Sequence, residues 1–268
     1  MPIRFLNRRH PRILRAMGSR SNIKTAARQV KMVRDGFRQY ASLAPWPASW
    51  IAQYVFVTPR RFPRPERERH FLGGAARASI ALDGQPIELW HWRSDGPTIG
   101  IVHGWEGRGS QLGAFIAPLV AAGFSVVTWD APAHGSSGGK QSGILKFSRA
   151  TQAVADYVGG FHAIVAHSMG AAATCLSVTR GLALKAAVFV APAPSVREAP
   201  YRFARHLHVP RHVMGQAVRR LEARNAMSFD ELQRLVYDGA EKIAPLVYHD
   251  ERDPDVPILD GEMLELEG

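Results

Sequence analysis

The chain has 268 residues, 46% of them hydrophobic, and a formal charge of +11, which is long and apolar enough for one large domain with a sizeable buried core and excludes a chain too polar to fold. Its single cysteine, Cys175, excludes a disulfide framework and a cysteine-rich metal site, and its longest apolar runs, such as 186–193, are too short to span a bilayer. The charge is lopsided: residues 1–70 hold 16 of the 34 Lys and Arg but only 3 of the 23 Asp and Glu, while the remainder, with 18 basic and 20 acidic residues, is close to neutral.

In chain order, residues 1–20 show no convincing period. From Ile23 the apolar positions Ile23, Ala26, Ala27, Val30, Val33, Phe37 and Tyr40 recur at helical spacing, with Lys24, Arg28, Lys31, Arg34 and Arg38 between them. That pattern predicts a helix with a basic face. Pro45 and Pro47 end it, and a second short helix around Trp50, Ile51, Tyr54 and Val55 reaches Pro59. Such helices either make a peripheral contact with an anionic membrane or pack on their own domain. Arg60 to Arg69 reads as a charged, proline-containing linker.

The body opens with two strand-like segments, Ala78 to Leu82 and Ile87 to Trp92, joined by the turn pair Asp83-Gly84. Strands and helices then alternate: a strand at Ile99, a helix from Ser110 to Ala122, a strand at Phe124, a helix from Ile144 to Val158, a strand at Ala163, a helix from Met169 to Arg180 and a strand from Ala186 to Val190. The alternation predicts an α/β fold, a mostly parallel sheet with helices on both faces and a site at the carboxyl ends of its strands. Between Pro192 and about Ala244 an arginine- and histidine-rich segment turning helical interrupts it.

Three stretches carry chemistry. In Ala166-His167-Ser168-Met169-Gly170 a strand stops at a serine flanked two residues away by small residues, and a helix follows at once. A nucleophile elbow needs that arrangement, because the strained turn leaves no room for side chains there; the competing reading is an ordinary serine N-cap. His103-Gly104-Trp105-Glu106-Gly107 ends the Ile99 strand in an H-G-x-x-G loop suited to presenting backbone N–H groups to an oxyanion. Asp253-Pro254-Asp255-Val256-Pro257 follows a strand at Leu246 and supplies an acid, with Asp250 and Asp255 as less favoured substitutes.

Together with Asp130-Ala131-Pro132-Ala133-His134-Gly135-Ser136-Ser137, which matches a D-x-P-G-H-G-x-S turn except for alanine at 133, these motifs resemble the α/β-hydrolase superfamily over about residues 70–260. The likeness is greatest to bacterial serine hydrolases of the monoglyceride lipase and serine aminopeptidase kind. It implies an α/β-hydrolase fold with a basic N-terminal extension (1–69), a core (70–192 and 245–268) and a helical cap insertion (193–244). It implies Ser168 as nucleophile, Asp253 as acid and the N–H groups of Trp105 and Met169 as oxyanion donors. His103, Gly104, Trp105 and Met169 would then border a small-molecule acyl substrate. No metal or other cofactor is expected, nucleic-acid binding is not expected, and a cytoplasmic location is the default.

The same resemblance implies a catalytic histidine some tens of residues beyond the acid, and none of the 11 histidines stands there. The chain therefore reads as a hydrolase truncated before its base. The rival expectation is a non-catalytic protein of the same fold that uses its basic N-terminal helices at a membrane surface or an acidic partner.

Overall fold

The computed structural model describes residues 34–37, 41, 43–193 and 195–250. Asp83 and Gly84 both take positive φ, 53° and 71°, and Leu82 faces Gln85 across them, so β1 (Ala76–Leu82) and β2 (Gln85–Trp92) form a tight antiparallel hairpin. β2 runs antiparallel to β4 (Ser125–Trp129), and from there β3 (Thr98–Val102), β5 (Ala163–His167), β6 (Ala186–Val190) and β7 (Leu246–Tyr248) are parallel. The seven-stranded order is β1-β2-β4-β3-β5-β6-β7. The central strands read as near-continuous apolar runs because both faces are covered: Ile101, Val126, Val127, Ile164, Phe189 and Val247 are all fully buried.

The described helices longer than one turn are α1 (Pro45–Val57), α2 (Ile116–Ala121), α3 (Ile144–Val158), α4 (Met169–Thr179), α5 (Ala199–His206), α6 (Arg211–Asn225) and α7 (Phe229–Ile243). α3 stops at Gly159, whose φ of 82° gives a left-handed cap with its N–H on the Ala155 carbonyl. α4 is built from small residues, and a Cβ at Gly239 of α7 would stand 2.0 Å from the Cys175 carbonyl oxygen, so glycine there lets two backbones meet. The helix expected from Ser110 starts only at Ile116, after a 3-10 turn at Gly113–Phe115. Residues 110–113 are held otherwise: Ser110 Oγ donates to Glu68 at 2.8 Å, and Gly113 lies where a Cβ would strike the Phe71 ring at 2.4 Å.

The described residues divide into two compact units. One comprises 59–193 and 234–250 and contains the sheet. The other comprises those between 34 and 58 together with 195–233. In the second unit Phe37 and Ala41, Ala48 and Ala52 of α1, Ala204 of α5, and Val213, Met214 and Ala217 of α6 form one buried cluster. The stretch before Thr58 and the insertion after β6 thus share a core. Of the helix expected over 23–40, one turn at 34–37 is described and the rest lies outside the described residues. No helix among the described residues is long and apolar enough to cross a membrane.

Candidate active site

Parallel pairing brings the ends of β3, β4, β5, β6 and β7 to one edge of the sheet, and the loops that follow them carry His103 to Gly107, Asp130 to Gly135, Ser168, Ala191 and His249-Asp250. Ser168 sits between β5 and α4 with φ 50° and ψ −123°, a conformation unfavourable for any residue with a Cβ. Its N–H donates to the Val190 carbonyl at 3.1 Å and its carbonyl accepts from Ala171 at 3.0 Å, which holds the strained turn from both sides. The hydroxyl makes no capping hydrogen bond. An ordinary serine N-cap has extended backbone and uses its oxygen on the first turn, and Ser168 does neither.

The two small flanking residues have distinct reasons. A Cβ at Gly170 would lie 2.5 Å from the His103 carbonyl oxygen, so the helix start and the end of β3 touch backbone to backbone. Ala166, where the pattern usually has glycine, is fully buried in β5 between Val102 and Phe189 and fits there as a strand residue. From the other side, a Cβ at Gly104 would lie 2.9 Å from His167 Nδ1 and 3.0 Å from Ser168 Cβ. The H-G-x-x-G loop therefore passes directly over the elbow.

Within that loop the amides sort themselves. The Glu106 N–H donates to His134 Nε2 at 3.0 Å, and the Gly107 N–H donates to the Gly104 carbonyl at 3.1 Å. Among the described residues, the Trp105 N–H and the Met169 N–H, the latter in the first turn of α4, have no acceptor, and neither has the Gly104 N–H. Two unspent donors beside a strained serine are what an oxyanion site requires.

The histidines underneath are spent. His103 is buried; its Nε2 accepts from the Ala131 N–H at 3.0 Å, so its Nδ1 carries the proton and donates to the Gly104 carbonyl at 2.6 Å. By the same logic His134 accepts from Glu106 and donates from Nδ1 to the Pro132 carbonyl at 2.9 Å. Burial pushes His103 down to about 4 and His134 to about 3, so both are neutral at pH 7. With both nitrogens bonded to main chain, the His103 side chain has none left for the substrate contact expected of it; it props the loop from beneath. Phe147 packs edge-on against both rings at 5.3 and 5.0 Å.

The sequence profile of the alpha/beta hydrolase family matches residues 101–261, more than half of the chain. The chain belongs to that family. No curated protein matches it. Among solved structures, this alpha/beta hydrolase is similar to the Est1E protein of Butyrivibrio proteoclasticus, solved with ferulic acid bound (18% identity, 70% of this chain and 84% of that one, TM-score 0.52). An esterase of Pyrococcus furiosus (15% identity, 78% and 82%, TM-score 0.52) and a putative lipase of Acinetobacter baumannii (12% identity, 74% and 81%, TM-score 0.51) share the fold at the same level.

In this alpha/beta hydrolase, β7 delivers Tyr248 and then His249 and Asp250 to the same sheet edge, His249 buried and Asp250 exposed. Asp253 and Asp255 lie outside the described residues. Cys175 on α4 is buried, and its thiol is pushed up to about 12 by burial, so it is no competing nucleophile. No group of three His, Cys, Asp or Glu side chains among the described residues could hold a metal ion.

The stretch 60–69 is bound along the core, where a linker had been expected. Arg60 grips the Glu106 carboxylate through Nε at 2.9 Å and Nη2 at 2.6 Å, and Arg61 donates to the Gly139 carbonyl at 2.8 Å. Arg64 reaches Asp130 at 3.1 Å, while Glu68 accepts from Arg108 Nε at 2.7 Å and from Ser110. This strap fastens the H-G-x-x-G loop and the Asp130 turn together. The oppositely charged residues of 60–69 were visible in the sequence; their partners, 40 to 78 residues away, were not.

Proposed function

We propose that the chain is a serine hydrolase that cleaves carboxylic esters through an acyl-enzyme on Ser168. One observation carries the reading: Ser168 holds a disfavoured backbone conformation with a hydroxyl that makes no capping bond, beside two amides, of Trp105 and Met169, that have no acceptor among the described residues. In the reaction, Ser168 Oγ attacks the ester carbonyl carbon, the carbonyl oxygen becomes an oxyanion held by those N–H groups, and the C–O bond to the alcohol breaks. The serine proton passes through a base to the leaving alkoxide, and water then releases the acid by the same route. Asp253 is the proposed orienting acid. His103 and His134 are excluded as the base by their hydrogen bonds. Met169 and Trp105 border the acyl pocket with their side chains, which favours an apolar acyl group, and no cofactor is needed. That residues 193–244 serve as a cap belongs to the same proposal.

The test is hydrolysis of short and medium p-nitrophenyl esters by the 268-residue chain beside Ser168→Ala, with intact-mass detection of fluorophosphonate labelling. Ser168→Ala should lower turnover by about 10⁴-fold or more and abolish labelling. Labelling of the parent alone supports the nucleophile even if turnover is slow. If a folded parent is neither labelled nor active, the catalytic reading fails, and the binding protein of the same fold takes its place.

A further inference from the structure

Helix α1 is turned inside out relative to an ordinary surface helix. It buries Ala48, Ser49, Ala52, Gln53 and Val57, with Val55 and Phe56 partly packed beside them, whereas Trp46, Trp50, Ile51 and Tyr54 stand in water, 64, 46, 56 and 56% exposed, with Leu43 just ahead of the helix at 82%. At ~100° per residue the four helical side chains fall within an arc of roughly 140°. Surface helices normally send such residues inward and keep polar ones out. The aromatic face is also held in one arrangement: the Trp46 and Trp50 rings meet edge to face at 6.0 Å, and the Arg220 guanidinium lies 4.3 Å from the Trp50 ring centre. Together these side chains expose on the order of 500 Å² of apolar surface, the size at which a patch on a soluble protein is a contact site.

We propose that this face docks on the surface of an anionic phospholipid bilayer, with Leu43, Trp46, Trp50, Ile51 and Tyr54 seated at the headgroup boundary. Tryptophan and tyrosine prefer that boundary because their rings are apolar with one polar atom, and isoleucine and leucine add burial into the acyl region. The charge agrees: the sequence before the described residues, 1–33, contains nine Lys and Arg and no Asp or Glu, and a negative leaflet attracts such a segment. The same charge opposes a second copy of the chain as occupant, since two such segments would repel. A nucleic acid would satisfy the arginines but leave Ile51 and Leu43 in water. The inference stands apart from the catalytic reading of Ser168 and needs no activity to be tested.

The experiment is sedimentation of the full chain with unilamellar vesicles of phosphatidylcholine alone, or with about a third phosphatidylglycerol. Binding to the anionic vesicles should be at least about ten-fold tighter and should weaken at high salt. Brominated lipid should quench tryptophan fluorescence more in the parent protein than in Trp46→Ser/Trp50→Ser, because Trp90, Trp92 and Trp129 are buried and Trp105 is half-buried, whereas Trp46 and Trp50 are exposed. Trp46→Ser/Ile51→Ser/Tyr54→Ser should lose about ten-fold or more in vesicle affinity with an unchanged melting temperature, and Trp46→Phe should retain it. Equal binding by parent and triple variant, or no binding to anionic vesicles, overturns the proposal. So does a concentration-dependent dimer that the triple variant abolishes, which would give the face to a second copy. Duplex DNA binding in the absence of vesicle binding overturns it as well.

Discussion

At the carboxyl edge of the sheet, Asp130 is fully buried, yet its carboxylate accepts from the Gly109 and Ser136 N–H groups at 2.7 Å each and from Arg64. In the helical unit the buried pair Ser49 and Gln53 shares one cation, Arg220, which donates to both at 2.9 Å from a partly buried position. The edge is a polar network with several partners for each group, pinned further by residues in positive φ at Glu106, Ala133, Gly135 and Ser168. The helical unit has an apolar core, with Phe37, Leu207 and Met214 buried in it, in which Ser49 and Gln53 share one cation. The difference teaches where each part is rigid. A network whose members share partners fails as a whole, whereas a single tie fails alone.

Asp130→Ala should therefore have the largest effect. It strands the buried Gly109 N–H, the part-buried Ser136 N–H and the Arg64 guanidinium, and a loss of about 3–5 kcal/mol is expected, read as a fall in the urea midpoint. A loss below about 1 kcal/mol would show that the edge is not the coupled network described. Gly135 belongs to the same unit, because a Cβ there would stand 2.1 Å from Asp130 Oδ2.

Acid should sharpen the contrast next. His103 and His134 are neutral when folded, with folded values of about 4 and about 3, whereas in the unfolded chain they protonate near ~6.5. The unfolded state thus binds more protons below ~6.5, and stability present above that pH is lost as pH falls toward the folded values, by about 1.4 kcal/mol per pH unit for each histidine. Urea midpoints should fall from pH 7 to 5, with a slope that steepens below ~6.5 toward that limit, and His134→Asn should remove about half of it. A flat profile over that range would mean that these histidines are not held neutral.

Arg220→Ala, the matching cut in the helical unit, should cost only about 1–2 kcal/mol: Gln53 loses its donor and Trp50 its cation, but Ser49 keeps its own bond to the Trp46 carbonyl at 2.6 Å. A loss as large as that from Asp130→Ala would erase the distinction between the two regions.

What the sequence disclosed follows the same division. Period and turn chemistry marked α3 from Ile144 to Val158, the strand Ala186 to Val190 and the Asp83-Gly84 hairpin with little error, since each is set by local sequence. The short elbow was legible because the strained serine forces small neighbours on the residues beside it. The strap at 60–69 and the delayed start of α2 were hidden, because both are fixed by contacts between residues tens of positions apart, such as Glu68 with Ser110 and Phe71 with Gly113. His103 looked like a substrate contact for a related reason. Its place in the H-G-x-x-G pattern is visible, but that both nitrogens are taken by Gly104 and Ala131 is a fact of folding. The exposed aromatic face of α1 was one of two readings the sequence left open, since spacing alone does not say whether such a helix packs its apolar side chains inward.

Ala226 offers the smallest and cleanest change. It follows α6 in a left-handed conformation, φ 49° and ψ 39°, and donates its N–H to the Ala223 carbonyl. Alanine there bears the strain of its Cβ in a region glycine enters freely. The side chain is exposed, so Ala226→Gly removes no buried contact, and the relief should stabilise the protein by about 1 kcal/mol, less the extra freedom glycine gives the unfolded chain. The equivalent exchange at Ala133, φ 64° and buried, removes strain and a packed methyl together and should be closer to neutral. Comparing the two variants by urea unfolding separates backbone strain from packing. If Ala133→Gly were the more stabilising, strain at the sheet edge would outweigh the packing that now holds it.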